Sequence, residues 1–373
     1  MRRAIVHIGM PRTGSTSFQE LLASVRPGLA AAGLDYPDLD PPNFGLGAGV
    51  NHQSLGEALD GRRPRSERTA SLARLVEALQ ATQAETVLLS YEGFSVQRPA
   101  LGVPALLRDL FADFGFAMEV AMVVKPQAGQ LNSAYAHRAQ VVHESRTFDE
   151  FCRRHGRSGR LDYCARLLPW LQAADGRVTA VPLRDARCDR PLLERIVRDL
   201  GLAEQMQSVL NQGQLRYTTN RSPGPISVEA SRRLHGLRVH RQFSGHTRLI
   251  GHVVDQGAWS RGLDPEPFRG NAPARVARIA ESFAPSNARF AAAVWGVPWD
   301  SVVAASPMRP PNELAGSPID QETEAQIETL VEETLQHFAF RKPALWRRAP
   351  ANALNAGAER LASMVGFARW RVA

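Results

Sequence analysis

The run Gly9-Met10-Pro11-Arg12-Thr13-Gly14-Ser15-Thr16-Ser17 reads G-x4-G-S-T, where a Walker A loop would read G-x4-G-K-[ST]. Successive backbone amides ahead of a helix, with Ser and Thr hydroxyls as extra donors, suit a phosphate. The lysine that clamps β- and γ-phosphates in nucleoside triphosphatases is missing, and Arg12 stands two places before the second glycine. The competing reading is a Gly/Ser/Thr turn that caps a helix. Two further groups could move a proton. Glu92 ends Leu88-Leu89-Ser90-Tyr91-Glu92, just past an apolar run, where a carboxylate can act as general base. His52, in Asn51-His52-Gln53, is the alternative, because an imidazole titrates near neutrality without tuning. Against both stands a bland assignment, with Glu92 pairing an arginine and His52 lying on the surface.

The elements that must position these groups are legible as alternation. Short apolar runs rich in β-branched residues at 4–8, 86–90, 120–124 and 178–182 predict strands, and helix-like stretches at 18–31, 66–81 and 105–114 separate them. That order predicts an α/β fold with a central parallel sheet covered on both faces. Ligands in such sheets bind beyond the carboxyl ends of the strands, where the glycine loop and Glu92 both fall. Helical periodicity returns at 273–295 and 321–338. Between them, 211–271 dissolves into Gly, Pro, Ser, Arg and His, with nine arginines and four histidines against Glu229, Asp255, Asp264 and Glu266. The expected organisation is an α/β domain over 1–300, with 211–271 as a basic loop-rich insertion or lobe, and a helical C-terminal extension over 301–373.

With the loop and strands in place, the segment His7-Ile8-Gly9 through Phe18-Gln19 resembles the 5′-phosphosulfate loop of the sulfotransferase family, bacterial carbohydrate type. That family usually carries Lys where Arg12 stands; the charge is kept, but reach and donor geometry change. Lys125-Pro126-Gln127 through Ser133-Ala134-Tyr135 is similar to the family's 3′-phosphate segment, an Arg at a strand end followed about eight residues later by Ser. Here Lys125 replaces the Arg and Ser133 matches. Weaker echoes extend the resemblance over roughly residues 4 to 296.

The resemblance implies a P-loop-like, sulfotransferase-like fold, 3′-phosphoadenosine 5′-phosphosulfate as donor, and a hydroxyl acceptor on a carbohydrate or glycolipid. It implies donor binding by Pro11, Arg12, Thr13, Gly14, Ser15, Thr16, Ser17, Lys125 and Ser133, with Arg12 neutralising charge on the leaving oxygen. In carbohydrate-type relatives a Ser-x-Glu follows the second strand and its glutamate is the base, which falls on Glu92. Histidines before that strand often meet the acceptor, which falls on His52. Two rivals remain: a P-loop kinase or NTPase with Glu92 near Mg²⁺ through water, and a non-catalytic nucleotide- or polyanion-binding protein that uses the basic segment.

Composition narrows the classes. The chain has 373 residues, 44% hydrophobic and 22% charged, close to globular usage, which excludes wholesale disorder and a disulfide-stapled miniature. The net charge of +8 is spread along the chain, favouring anionic ligands mildly and predicting no nucleic-acid partner. Lys125 and Lys342 are the two lysines, so the remaining basic residues are arginine and their number carries little functional weight. Cys152, Cys164 and Cys188 are scattered, and the histidines of 211–271 match no compact ligand spacing, so no metal site is predicted. No apolar run approaches a membrane span and no signal peptide is apparent, which predicts a cytoplasmic protein. Residues 350–370 could form a weak membrane-surface helix, with packing on the domain as the competing reading.

Overall fold

The computed structural model describes residues 2–41, 49–97, 101–156, 159–210, 222–243, 245–307 and 309–345, apart from the side chains of 160 and 339–345. The sheet has five parallel strands: β1 (Arg2–His7), β2 (Leu34–Asp35), β3 (Thr86–Ser90), β4 (Phe116–Val124) and β5 (Val178–Pro182). Their order is β2-β3-β1-β4-β5. The period of two sorts side chains to opposite faces. Ala4, Val6, Leu89, Val120 and Met122 pack on one face with Leu75, Leu107, Phe111 and Trp170. Ile5, Leu88, Ala121 and Val123 pack on the other with Phe18, Leu22, Leu193 and Ile196. The α/β fold, a central parallel sheet flanked by helices, is therefore as the alternation predicted.

Local differences from the sequence reading have physical causes. Strand β2 is two residues long, too short for any periodicity to register. Strand β4 begins at Phe116, ahead of the apolar run, because Glu119 interrupts the pattern yet is neutralised by Arg3 through contacts of 2.8 and 2.7 Å. The single helix expected over 18–31 is two: α1 (Ser15–Ser24), then Arg26–Ala31. Pro27 forces the break, since it lacks an N–H and its ring clashes with the carbonyl one turn back.

The segment 211–271 needs a correction. Its residues 222–243 and 245–271 are largely helical, not loop-rich, and 211–221 lie outside the described residues. With α2 as Gln127–Gln140, the segment contributes α3 (Pro225–Gly236) and α4 (Thr247–Ser260), followed by α5 (Pro273–Val294) and α6 (Gln321–Leu345). Ala230, Leu234, Ile250, Val254, Ile327 and Leu330 join α3, α4 and α6 in one apolar cluster. The glycines that read as loop punctuation are packing residues. A Cβ on Gly251 would lie 1.6 Å from the Gln140 carbonyl oxygen, and one on Gly257 would lie 2.9 Å from Leu330. Asp264 accepts from the amides of Ile226 and Ser227, both at 2.9 Å, and so satisfies the start of α3. The expected division at 300/301 falls inside packed chain, since Val302 and Val303 belong to the sheet core and Val303 bridges Asp185. The candidate surface helix at 350–370 lies outside the described residues.

Candidate anion-binding active site

The chain leaves β1 toward β2 and β3 but leaves β4 toward β5, so the carboxyl ends of β1 and β4 flank a topological switch point. The glycine loop fills it. Gly9 (φ +45°), Arg12 (φ +66°) and Gly14 (φ +87°) are left-handed, and alternation of this kind curls backbone amides into a concave anion cradle. Gly9 also lies against Glu92, where an added Cβ would sit 3.3 Å from the Glu92 Cβ. Three successive loop carbonyls are held by side chains. Thr13 Oγ1 donates to the Met10 oxygen at 2.5 Å, Gln130 Nε2 to the Pro11 oxygen at 2.9 Å, and Lys125 Nζ to the Arg12 oxygen at 2.8 Å. Carbonyls occupied in this way leave the amides as the loop's available polar groups. The loop runs into α1, whose first amides lack partners within the helix, and Ser15, Thr16 and Ser17 lie in that turn.

Lys125, at the end of β4, is 5% exposed, and its Nζ also donates to Ser133 Oγ at 2.8 Å. The structure thus brings together the two residues that the sequence reading paired, and ties both to the loop. Burial, with Arg12 adding to it, lowers the ammonium to about 7. Two of its three donors are engaged, so one remains for an anion. Arg12 itself is lowered by burial, while Asp255 and Glu92 act in the opposite direction.

Glu92 opens a short 3₁₀ turn directly after β3, partly exposed. Its Oε2 accepts from Gln19 Nε2 at 3.2 Å, and the same nitrogen donates to Ser90 Oγ at 3.0 Å. Gln19 therefore orients the carboxylate from α1. His52 sits differently from its expected role as an alternative base. It is 1% exposed; its Nδ1 accepts from the Ser90 amide at 2.9 Å and its Nε2 donates to the Pro37 oxygen at 2.9 Å. With both ring nitrogens engaged by backbone and burial lowering it to about 4, His52 joins the end of β3 to the 36–41 segment.

Of the other groups near the loop, Gln130 and Asp255 carried no recognisable sequence signal, and His137 read as part of an exposed polar helix face. Gln130 is buried, and its Oε1 has no hydrogen-bond partner. Asp255 of α4 and His137 of α2 both lie within electrostatic reach of Arg12. Their proximity arises from α4 packing on α2, which no local pattern reveals. On the Lys125 side a cavity of about 1310 Å³ opens, lined by Lys125, Ser133, Asn132, Phe268, Arg184 and Trp299 among others. Among the described residues no three His, Cys, Asp or Glu side chains are grouped to hold a metal ion, and no helix is long and apolar enough to cross a membrane.

No protein-family model matches the sequence, and no curated protein matches it. Among solved structures, the chain is similar to a sulfotransferase from Alicyclobacillus acidocaldarius at 12% identity, over 79% of this chain and 96% of that one, with a TM-score of 0.38. A likeness of that size says nothing about activity, so the chemistry must come from the site itself.

Proposed function

We propose that the protein is a sulfotransferase that moves a sulfuryl group from 3′-phosphoadenosine 5′-phosphosulfate to an acceptor hydroxyl. The observation that carries this reading is the Lys125–Ser133 pair, delivered by β4 and α2 and hydrogen-bonded to the loop that β1 delivers. A donor with phosphates at both 5′ and 3′ positions needs two anion sites one ribose apart, whereas ATP and GTP carry a single phosphate chain. The curled loop and its pinned carbonyls, which leave amide donors available, fit such a donor.

In this reading residues 11–17 hold the 5′-phosphosulfate, Lys125 and Ser133 hold the 3′-phosphate, and the cavity beside them has room for the nucleoside. The donor supplies a transferable sulfuryl group. Glu92, oriented by Gln19, accepts the acceptor's proton as the new S–O bond forms, and Arg12 offsets charge on the phosphate oxygen whose S–O bond breaks. His52 is structural. The acceptor is a hydroxyl compound, with carbohydrate or glycolipid as its class. A kinase would prefer ATP with Mg²⁺, so calorimetric titration with adenosine 3′,5′-bisphosphate, 5′-AMP and Mg·ATP tests the reading. Preference for the bisphosphate over 5′-AMP by roughly ten- to a hundredfold is the expected result, one charged hydrogen bond's worth. Equal affinity for those two would sink it.

A further inference from the structure

The segment 51–53 reaches Glu92, but through Asn51 rather than through His52. Asn51 Oδ1 accepts from the Gln53 amide at 2.9 Å, and a backbone N–H can only donate, so the orientation of the Asn51 side chain is set. Its Nδ2 then faces Gln19 of α1 and donates to Oε1 at 3.4 Å. With Oε1 occupied, Gln19 turns Nε2 toward the end of β3. The two hydrogens on that nitrogen go to Ser90 Oγ at 3.0 Å and to Glu92 Oε2 at 3.2 Å. Ser90 Oγ, having accepted from Gln19, still has its own hydrogen to donate, and His7 Nδ1 lies 2.7 Å away. Gln19, Ser90 and His7 are each at most 1% exposed, so bulk water does not compete along this chain of hydrogen bonds.

We propose that Asn51 is a positioning residue for the general base: it fixes the direction of the Gln19 amide, so that Glu92 Oε2 meets an N–H and Oε1 is left for the proton of the acceptor hydroxyl. The proposal rests on the reading of Glu92 as base. Turned over, the Gln19 amide would set its carbonyl oxygen 3.2 Å from an ionised carboxylate that can only accept, and the two would repel. The chain has a second end that reports its direction. Burial lowers His7 to about 4, so its ring is neutral at pH 7, and its Nε2 is shielded from solvent with no hydrogen-bond partner. No hydrogen bond at Nε2 therefore selects the tautomer. The Ser90 hydroxyl selects it, and by donating to Nδ1 it puts the ring proton on Nε2. With Gln19 turned over, Ser90 would donate to Gln19 instead, and His7 would donate from Nδ1. The His7 tautomer thus reads which way the Gln19 amide faces, two hydrogen bonds away from Asn51.

Asn51→Asp is the deciding variant, because its carboxylate keeps the Gln53 contact yet offers Gln19 only acceptors. Long-range proton–nitrogen NMR of the full chain at pH 7 should show His7 as the Nε2–H tautomer in the wild type and predominantly as Nδ1–H in Asn51→Asp. Turnover is read as release of labelled sulfate from 3′-phosphoadenosine 5′-phosphosulfate with water standing in for the acceptor. The new S–O bond forms to water as the S–O bond to the 5′-phosphate breaks, and Glu92 takes the proton. Turnover should fall about tenfold in Asn51→Asp and in Gln19→Met, with affinity for adenosine 3′,5′-bisphosphate within about twofold of wild type. Because both residues act through one contact, adding Asn51→Asp to Gln19→Met should lower turnover no further. A wild-type His7 with its proton on Nδ1, an unchanged tautomer in Asn51→Asp, or additive losses in the double variant would overturn the proposal. Sulfate release absent from the wild type, or unchanged by Glu92→Gln, would instead remove Glu92 as base and with it the catalytic part of Asn51, while the tautomer would still decide which way the Gln19 amide faces.

Discussion

Lys125 offers the most demanding check on the donor site, because burial holds its ammonium near neutrality and an anion must reverse that. In the free protein it titrates at about 7, well below the ordinary 10.5. A phosphate accepting from Nζ favours the charged form and moves the bound-state value back up. The sign follows directly: below pH 7 the ammonium is already present, and above it each binding event must take up a proton. The affinity for adenosine 3′,5′-bisphosphate should therefore fall by up to about tenfold per pH unit between pH 7 and 9, until the bound-state value is reached. Affinity for 5′-AMP should fall far less, so the ratio between the two carries the signal. Lys125→Gln retains a donor for the Arg12 carbonyl but no charge, and should lose roughly ten- to a hundredfold of the bisphosphate preference along with the pH slope. Calorimetry in buffers of different ionisation heat measures the ratio and the proton uptake together. A flat ratio across pH 7 to 9 in the wild type, or the same slope in Lys125→Gln, refutes the placement of Lys125 on the 3′-phosphate.

Three further outcomes follow from the same geometry. Glu92→Gln should lower turnover about 10²-fold or more with bisphosphate affinity nearly unchanged, measured with labelled donor, since it removes the base and keeps the shape. His7 and His52 are buried and lowered to about 4, so the unfolded chain binds more protons than the native one between pH 4 and 6.5, and stability should fall as pH drops through that window. The loss amounts to about 3 kcal/mol per imidazole, and denaturant melts of the wild type and His52→Gln should differ in that slope. Gly251→Ala drives a methyl into the Gln140 carbonyl and should cost about 2 kcal/mol or more, read as a lowered melting temperature.

What the sequence determined by itself is the part of the protein governed by neighbours along the chain. The strands at 86–90 and 178–182, the turn from Gly9 to Gly14 and the start of α1 follow from side-chain period and glycine conformation, both local properties. Placing the loop, Glu92 and Lys125 at one end of the sheet required only the rule that parallel strands share a direction. The tertiary structure decided the rest. The sequence offered His52 as an alternative base or as a surface residue, but the closeness of Ser90 and Pro37 on each side of its ring engages both nitrogens, and no local pattern encodes that. Gly251 and Gly257 resembled loop residues because a sequence shows the absence of a side chain but not the backbone or leucine pressed against it. Gln130, Gln140 and Asp255 were silent because hydrogen-bond partners distant in the chain are set by how α2 and α4 pack, and packing depends on shape complementarity summed over many residues rather than on any one spacing.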